Sequence, residues 1–181
     1  MLQSPVDHCS DAPWMESTVT ITPAQAAQIP LVQRLARETW HRCYATILSA
    51  AQIEYMLERG YADDALLRFV VEPEAGLAIA RRGDEPVGFA AWLRADASTM
   101  KLDKLYVLPE HNRAGIGRML IEHVGTHARA AACAGLTLNV NRNNAPAIRA
   151  YERCGFVIRG RGDFPIGSGF VMEDYIMVLD L

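Results

Sequence analysis

"PEHNRAGIGRML", residues 109–120, starts as a loop and ends as a helix. Proline cannot continue a central strand, so Pro109 closes the alternating run "STMKLDKLYVL" that precedes it. From Ile116 the apolar residues fall at helical spacing: Ile116, Met119, Leu120, Val124, Ala128 and Ala131. Gly115 and Gly117 sit at the junction, with Arg113 and Arg118 beside them. A helix N-terminus carries unbonded N–H groups and a partial positive charge, and glycines let the backbone close on a bound anion. The stretch therefore predicts a strand, an anion-binding turn and a helix. It is not a Walker loop, because Gly117 is followed by Arg118 and Met119 rather than Lys and Ser or Thr. Nor is it a dinucleotide fingerprint, whose third glycine would fall at Leu120.

Working outward, residues 1–16 have neither helical nor strand periodicity and read as a mobile tail ahead of one domain, 17–181. "STVTIT" reads as a strand. Thr22-Pro23-Ala24-Gln25 resembles a capping box, and Pro30 restarts a helix with a stripe of Leu31, Val32, Leu35, Ala36, Thr39 and Cys43. Ser49-Ala50-Ala51-Gln52 repeats the pattern for a second helix ending at Gly60. "GLAIARR" and "PVGFAAWLR", joined by "GDE", predict an antiparallel hairpin. After the central helix come a strand "LTLNV", a short helix "APAIRAYERC", a strand "GFVIRG", a loop from Gly162 to Tyr175 and a last strand within "FVMEDYIMVLDL". The expected order is strand, two helices, three strands, helix, strand, helix, two strands.

The whole chain has 18 basic and 21 acidic residues among 181, so no basic field points to nucleic acid. No apolar run reaches bilayer-spanning length, so no membrane partner is expected. The four cysteines are scattered without a C-x-x-C pair, which fits reduced thiols in a cytoplasmic protein.

"LDKLYVLPEHNRAGIGRMLIEH" followed by "NVNRNNAPAIRAYERCGF" resembles the GNAT superfamily of N-acetyltransferases. Its loop Q/R-x-x-G-x-G/A is matched by Asn112-Arg113-Ala114-Gly115-Ile116-Gly117 except at Asn112. The later N-x-x-A-I-x-x-Y element and the Gly-Phe after it are matched by Asn144, Ala147, Ile148, Tyr151, Gly155 and Phe156. The resemblance implies an α/β (α+β) fold: a twisted, mostly antiparallel sheet of about seven strands, helices on both faces, strands four and five splayed. It also implies acetyl transfer from acetyl-CoA to a primary amine of a small molecule or a protein, with no metal. The pyrophosphate of coenzyme A would lie on residues 112–118. The pantetheine arm would pair with the fourth-strand edge near Tyr106 and Val107 and meet Asn144.

Three chemical demands follow from that reaction: donors for the thioester oxygen, which the freed backbone near Tyr106 and Val107 would supply, a proton donor for the thiolate, and a base for the amine. The thiolate needs a proton donor; the resemblance gives this role to Tyr151, whose alternative is a core aromatic. Asn144 has a similar double reading, as a pantetheine ligand or a plain helix N-cap. An acceptor amine needs a base, and many relatives carry a glutamate where this chain has Lys101. Asp103 could replace it or merely pair with a lysine; Glu173 and Asp174 are further candidates. The acceptor site would border Trp40, His41 and Tyr44, whose alternative is a packed aromatic edge. The acidic Glu173-Asp174 pair points to a cationic acceptor such as a polyamine. His123 and His127 have the four-residue spacing of metal ligands, but no zincin glutamate lies between them, and they read as a polar helix edge. A homodimer is compatible with all of this. The competing reading is a sensor that binds acetyl-CoA without turnover, suggested by the missing glutamate.

Overall fold

Thr99–Val107 (β4) is the strand that ends at Pro109, and Ile116–Ala130 (α4) is the helix that follows the glycine turn. The computed structural model describes residues 18–181, so the expectation of a mobile segment over residues 1–16 lies outside it. Val19–Pro23 (β1), Ala75–Arg82 (β2), Glu85–Arg94 (β3) and β4 form an antiparallel meander. Gly135–Asn141 (β5) lies parallel to β4. Phe170–Asp180 (β7) pairs with β5, and Val157–Gly167 (β6) pairs with β7 at the far edge. The result is a seven-stranded sheet of order β1-β2-β3-β4-β5-β7-β6, antiparallel except at β4–β5.

Alternation along the central strands feeds two cores, one on each face of the sheet. On one face α4 presents Ile116, Leu120, Val124 and Ala128 to Leu136, Leu138, Phe156 and Met177. Ala145–Arg153 (α5) adds Ile148 and Tyr151 to that side. On the other face Ile29–Cys43 (α1), Ala50–Gly60 (α2) and Asp63–Val71 (α3) bury Val32, Trp40, Ile53, Leu66 and Phe69 against Ile79 and Phe89. No helix among the described residues is long and apolar enough to cross a membrane.

Three expectations need correction. α3 is an extra helix: Asp63 and Asp64 favour its N-terminus, and only Leu66 and Phe69 are buried, too short a stripe to stand out as periodic. The cap before α1 is Gln25 with Gln28, not Thr22 with Gln25, because β1 runs on through Pro23. The expected loop over Gly162–Tyr175 is almost entirely hairpin, since β6 and β7 pair up to Gly167 and Phe170. Glycines and Pro165 hide the strand signal there, and an edge strand tolerates both.

Gly76 lies opposite Trp92 on the neighbouring strand, and a Cβ there would stand 2.1 Å from the indole ring. The ring cannot retreat, because it is buried and packed by His123 and His127 at centroid distances of 5.7 and 4.9 Å. Gly76→Ala should therefore destabilise the protein by about 1–3 kcal/mol. In urea unfolding the midpoint should fall with little change in slope.

Candidate active site

The parallel pairing of β4 and β5 is short. It joins only Thr99–Lys101 to Gly135–Thr137, after which the strands part. From Leu102 to Val107 the β5-facing edge of β4 has no strand beside it among the described residues, while the other edge stays paired to β3 as far as Val107. The β3–β4 register slips between Ala91 and Trp92, opposite Lys104 and Leu102, which leaves Asp103 as a bulge. A bulge bends its strand and adds local twist, which turns β4 away from β5. The expected splay at Tyr106 and Val107 is present, and its open backbone edge suits an extended chain.

Beyond the open end of β4 the chain turns through Pro109–His111 and Asn112 into α4. Arg113 and Gly115 adopt positive φ of 67° and 79°, which aims successive backbone N–H groups into one concavity. The first bond of α4 is Met119 N–H to Gly115 C=O at 3.0 Å. The N–H groups of Ile116, Gly117 and Arg118 therefore precede the helical ladder. Ala114 N–H is turned back onto His111 C=O at 3.4 Å, and the Ile116 side chain is buried in the core, so Ile116 offers the turn only its backbone. Gly117 is informative in another way. Its φ is not positive, and a Cβ there would meet nothing nearer than Leu105 Cδ2 at 3.9 Å. The fold itself does not need glycine at 117, whereas a ligand lying on the turn would. Arg118 reaches outward to Glu122 at 2.8 Å.

Across the gap, β5 ends at Asn141, whose Oδ1 accepts from Asn143 N–H at 2.9 Å. Asn144 caps α5, its Oδ1 accepting from Ala147 N–H at 3.3 Å. Two helical turns later Tyr151 lies against Phe156, with ring centroids 5.6 Å apart. Burial pushes the Tyr151 phenol well above its ordinary range, with smaller raising contributions from Tyr44 and Cys154. Both readings of Tyr151 and of Asn144 are compatible with these positions.

On the α1–α3 face of the gap stands an aromatic group. Tyr44 ends α1 and stacks on Trp40 at 4.5 Å; Tyr106 lies 6.1 Å from Trp40 and 5.6 Å from Phe89. Trp40 Nε1 donates to the Tyr61 hydroxyl at 3.0 Å. Burial raises the phenol pKa values of Tyr44, Tyr61 and Tyr106. Trp40 and Tyr44 are sealed in this layer, at 3% and 8% exposure, whereas Tyr106 is half-buried. His41 is not brought into the group: it faces away, with Nε2 3.0 Å from Glu54 on α2. His123 and His127 are stacked on Trp92 in the other core's margin.

The acidic candidates separate sharply. Asp103 is shared by Lys104 at 2.8 Å and Lys101 at 3.2 Å. Desolvation of the Asp103 carboxyl is the largest influence on it, but the two ammonium groups outweigh that burial and hold its pKa below the ordinary value. Glu173 is exposed and paired at 3.0 Å with Arg142, which also holds Asp163 at 2.7 Å. Asp174, next in sequence, points to the opposite face of β7. It is only 6% exposed, and its Oδ1 has no hydrogen-bond partner among the described residues. Burial raises its pKa, against smaller lowering influences from Asn139, Lys101 and Arg142. The expected acidic pair is thus one neutralised surface carboxylate and one buried, unsatisfied one. The second wall of the gap is the β6–β7 hairpin, tied to α2. Gln52 Nε2 donates to Val171 C=O at 3.0 Å, the Tyr55 hydroxyl donates to Ile166 C=O at 2.8 Å, and Arg59 reaches the same carbonyl. Gln52, Tyr61 and Lys104 escaped the sequence reading because their roles depend on α3 and the hairpin.

Comparisons with known proteins agree with this architecture. The sequence profile described as the acetyltransferase (GNAT) family matches residues 32–156. The peptidyl-lysine N-acetyltransferase YjaB of Escherichia coli is 31% identical over 124 residues, 68% of this chain and 75% of that protein. The spermidine N(1)-acetyltransferase of Thermoplasma acidophilum is 29% identical over 143 residues, 77% of this chain and 86% of that one. The crystal structure of the PaiA N-acetyltransferase from T. acidophilum in complex with coenzyme A superposes with a TM-score of 0.75 at 21% identity. It covers 91% of this chain and 99% of that one. The chain belongs to the acetyltransferase (GNAT) family and is an N-acetyltransferase.

Proposed function

We propose that the protein transfers the acetyl group of acetyl-CoA directly to a primary amine, of a small molecule or of a protein. The observation that carries this reading is the pairing of an anion turn with an open strand edge. The Gly115–Gly117 turn leaves N–H groups and empty space where a diphosphate fits, and β4 offers unpaired backbone immediately beside it. A coenzyme A complex of a similar fold supports the assignment, as do relatives named for spermidine and peptidyl-lysine.

In this reading Asn112–Arg118 bind the pyrophosphate, chiefly through backbone. The open β4 edge at Tyr106 and Val107 pairs with the pantetheine arm and supplies N–H donors to the thioester oxygen. Asp174 is the base, in preference to Asp103. A carboxylate held charged by two lysines is a poor proton acceptor, whereas a buried one with a raised pKa is a better one. Asp174 takes one proton from the acceptor ammonium, and the freed nitrogen adds to the thioester carbonyl carbon. As the C–N bond forms and the C–S bond breaks, the nitrogen loses a second proton to solvent water and the departing sulfur takes one from Tyr151. When Asp174 gives up its proton and Tyr151 regains one, the net release to solvent is one proton. Burial keeps the Tyr151 phenol protonated until the sulfur charge develops.

Four outcomes test this. Coenzyme A at 100 times its Kd should stabilise the fold by about 2.7 kcal/mol, read as an upward shift in melting temperature. Gly117→Val should remove that shift while leaving the ligand-free melting temperature nearly unchanged, since the protein offers room for the side chain. Tyr151→Phe should lower kcat by about 10²–10⁴-fold with coenzyme A affinity nearly constant; a variant that turns over normally would make Tyr151 a core aromatic. Thiol release from acetyl-CoA across an amine panel separates the enzyme from a silent sensor.

Asp174→Asn should abolish most turnover and yet stabilise the protein at neutral pH. A carboxyl whose folded pKa is raised binds more protons folded than unfolded. Stability therefore falls as pH rises from the ordinary carboxyl value through the raised one. The gain from the substitution should be largest above that window and vanish below it. Melts from pH 3 to 8 check the sign.

A further inference from the structure

We infer that Lys104 is a positioning residue for coenzyme A: its enclosed ammonium fixes the bulge at Asp103 and so holds the β4 edge open. This rests on the acetyl-CoA reading of that edge and assigns the group that preorganises it.

Successive side chains of a strand point to opposite faces, so neighbours in sequence do not normally meet. Asp103 and Lys104 do meet, with Oδ2 and Nζ 2.8 Å apart. The contact exists because Asp103 is the extra residue of the bulge, unpaired between Leu102 opposite Trp92 and Lys104 opposite Ala91. The same register sends Lys104 to the α1–α3 face, where Ala91 and Phe89 are core. Its side chain is only 12% exposed there, and its ammonium lies 5.0 and 5.3 Å from the ring centroids of Tyr61 and Phe69. The rings attract a cation but cannot neutralise it. Among the described residues Asp103 is the carboxylate that does.

Moving the bulge one residue toward Leu105 would set Asp103 opposite Ala91 and turn Lys104 to the other face. The ammonium would then enter the apolar cluster under α4 and leave its carboxylate behind. The bulge is therefore tied to one position by the enclosure of Lys104. Lys101 touches the same carboxylate at 3.2 Å, but it is 37% exposed and sits in regular register opposite Leu93. Lys101 is indifferent to where the bulge lies. With the bulge fixed, the edge from Leu102 to Val107 has its bent shape before a coenzyme arrives, and no binding free energy goes to selecting that shape.

The test is coenzyme A affinity by calorimetry, with KM for acetyl-CoA and kcat, in Lys104→Met, Asp103→Asn, their double variant and Lys101→Met. Methionine keeps the length of lysine and packs well on aromatic rings without a charge. If the competent edge falls to about a tenth of the population, Kd rises about tenfold. Lys104→Met and Asp103→Asn should each raise Kd and KM by about that factor, with kcat at saturation nearly unchanged and the double variant no worse than either. Asp103→Asn separates this role from plain electrostatics, because removing a negative charge would otherwise tighten an anionic ligand. Lys101→Met removes as much positive charge as Lys104→Met without freeing the bulge, so its Kd should stay near the wild-type value. Tighter or unchanged binding in Asp103→Asn overturns the inference, and so does an equal loss in Lys101→Met. A kcat loss in Asp103→Asn with intact affinity also overturns it, by making that carboxylate the base. Should Lys104→Met fail to fold, Asp103→Asn decides by itself. Wild-type protein that does not bind coenzyme A overturns the acetyl-CoA reading as well; wild-type binding that Asp103→Asn leaves intact overturns the inference alone.

Discussion

The separation of β4 from β5 is the constraint on which the site depends. A sheet normally uses every interior backbone group, and unpaired ones are costly in a dry interior. Here the parallel ladder stops after Lys101, and a bulge at Asp103 keeps it from resuming. Each strand then runs into its own helix N-terminus, β4 through the glycine turn to α4 and β5 through Asn144 to α5. In open α/β sheets such a divergence at the carboxyl ends of parallel strands is where ligands bind. The gap connects the two faces of the sheet, so a donor molecule on the α4–α5 side and an acceptor on the α1–α3 side can meet through it.

What borders the gap is kept rigid by packing rather than by regular structure. Trp40, Tyr44, Tyr61, Phe89 and Tyr106 form one continuous aromatic layer, with the Trp40–Tyr61 hydrogen bond fixing its lower edge. Aromatic pairs at 4.5–7 Å add about 0.5–1.5 kcal/mol each beyond area burial. A layer so held can support a buried carboxylate without letting the surroundings collapse onto it.

The fold was largely legible because its elements alternate or repeat at clear periods. The β2–β3 hairpin, the Pro109 stop and the α4 stripe all rest on local rules. The glycine turn was legible for the same reason, and the later Asn144–Tyr151 element gave it context. Charge partnerships were legible only in part. The adjacent letters Glu173 and Asp174 look like one acidic patch, but the strand pleat sends them to opposite faces and to different fates. For Asp103 the sequence left a base and a lysine partner both open, and the structure sets it between two lysines at the bulge. α3 was missed because two buried residues in nine make a weak period.

The last strand in sequence is not at the edge of the sheet: β7 lies between β5 and β6. Among the described residues β6 pairs with no strand but β7, so the second half of the sheet waits on β7. The meander β1 to β4 can assemble from neighbours in sequence, but the far wall of the gap cannot. Gln52 and Tyr55 reach residues more than a hundred positions away to anchor the hairpin. Such non-local closure carries a high loop entropy and forms late. The scaffold should therefore condense before its acceptor wall does, which makes the wall the last cooperative unit to fold and the first to open.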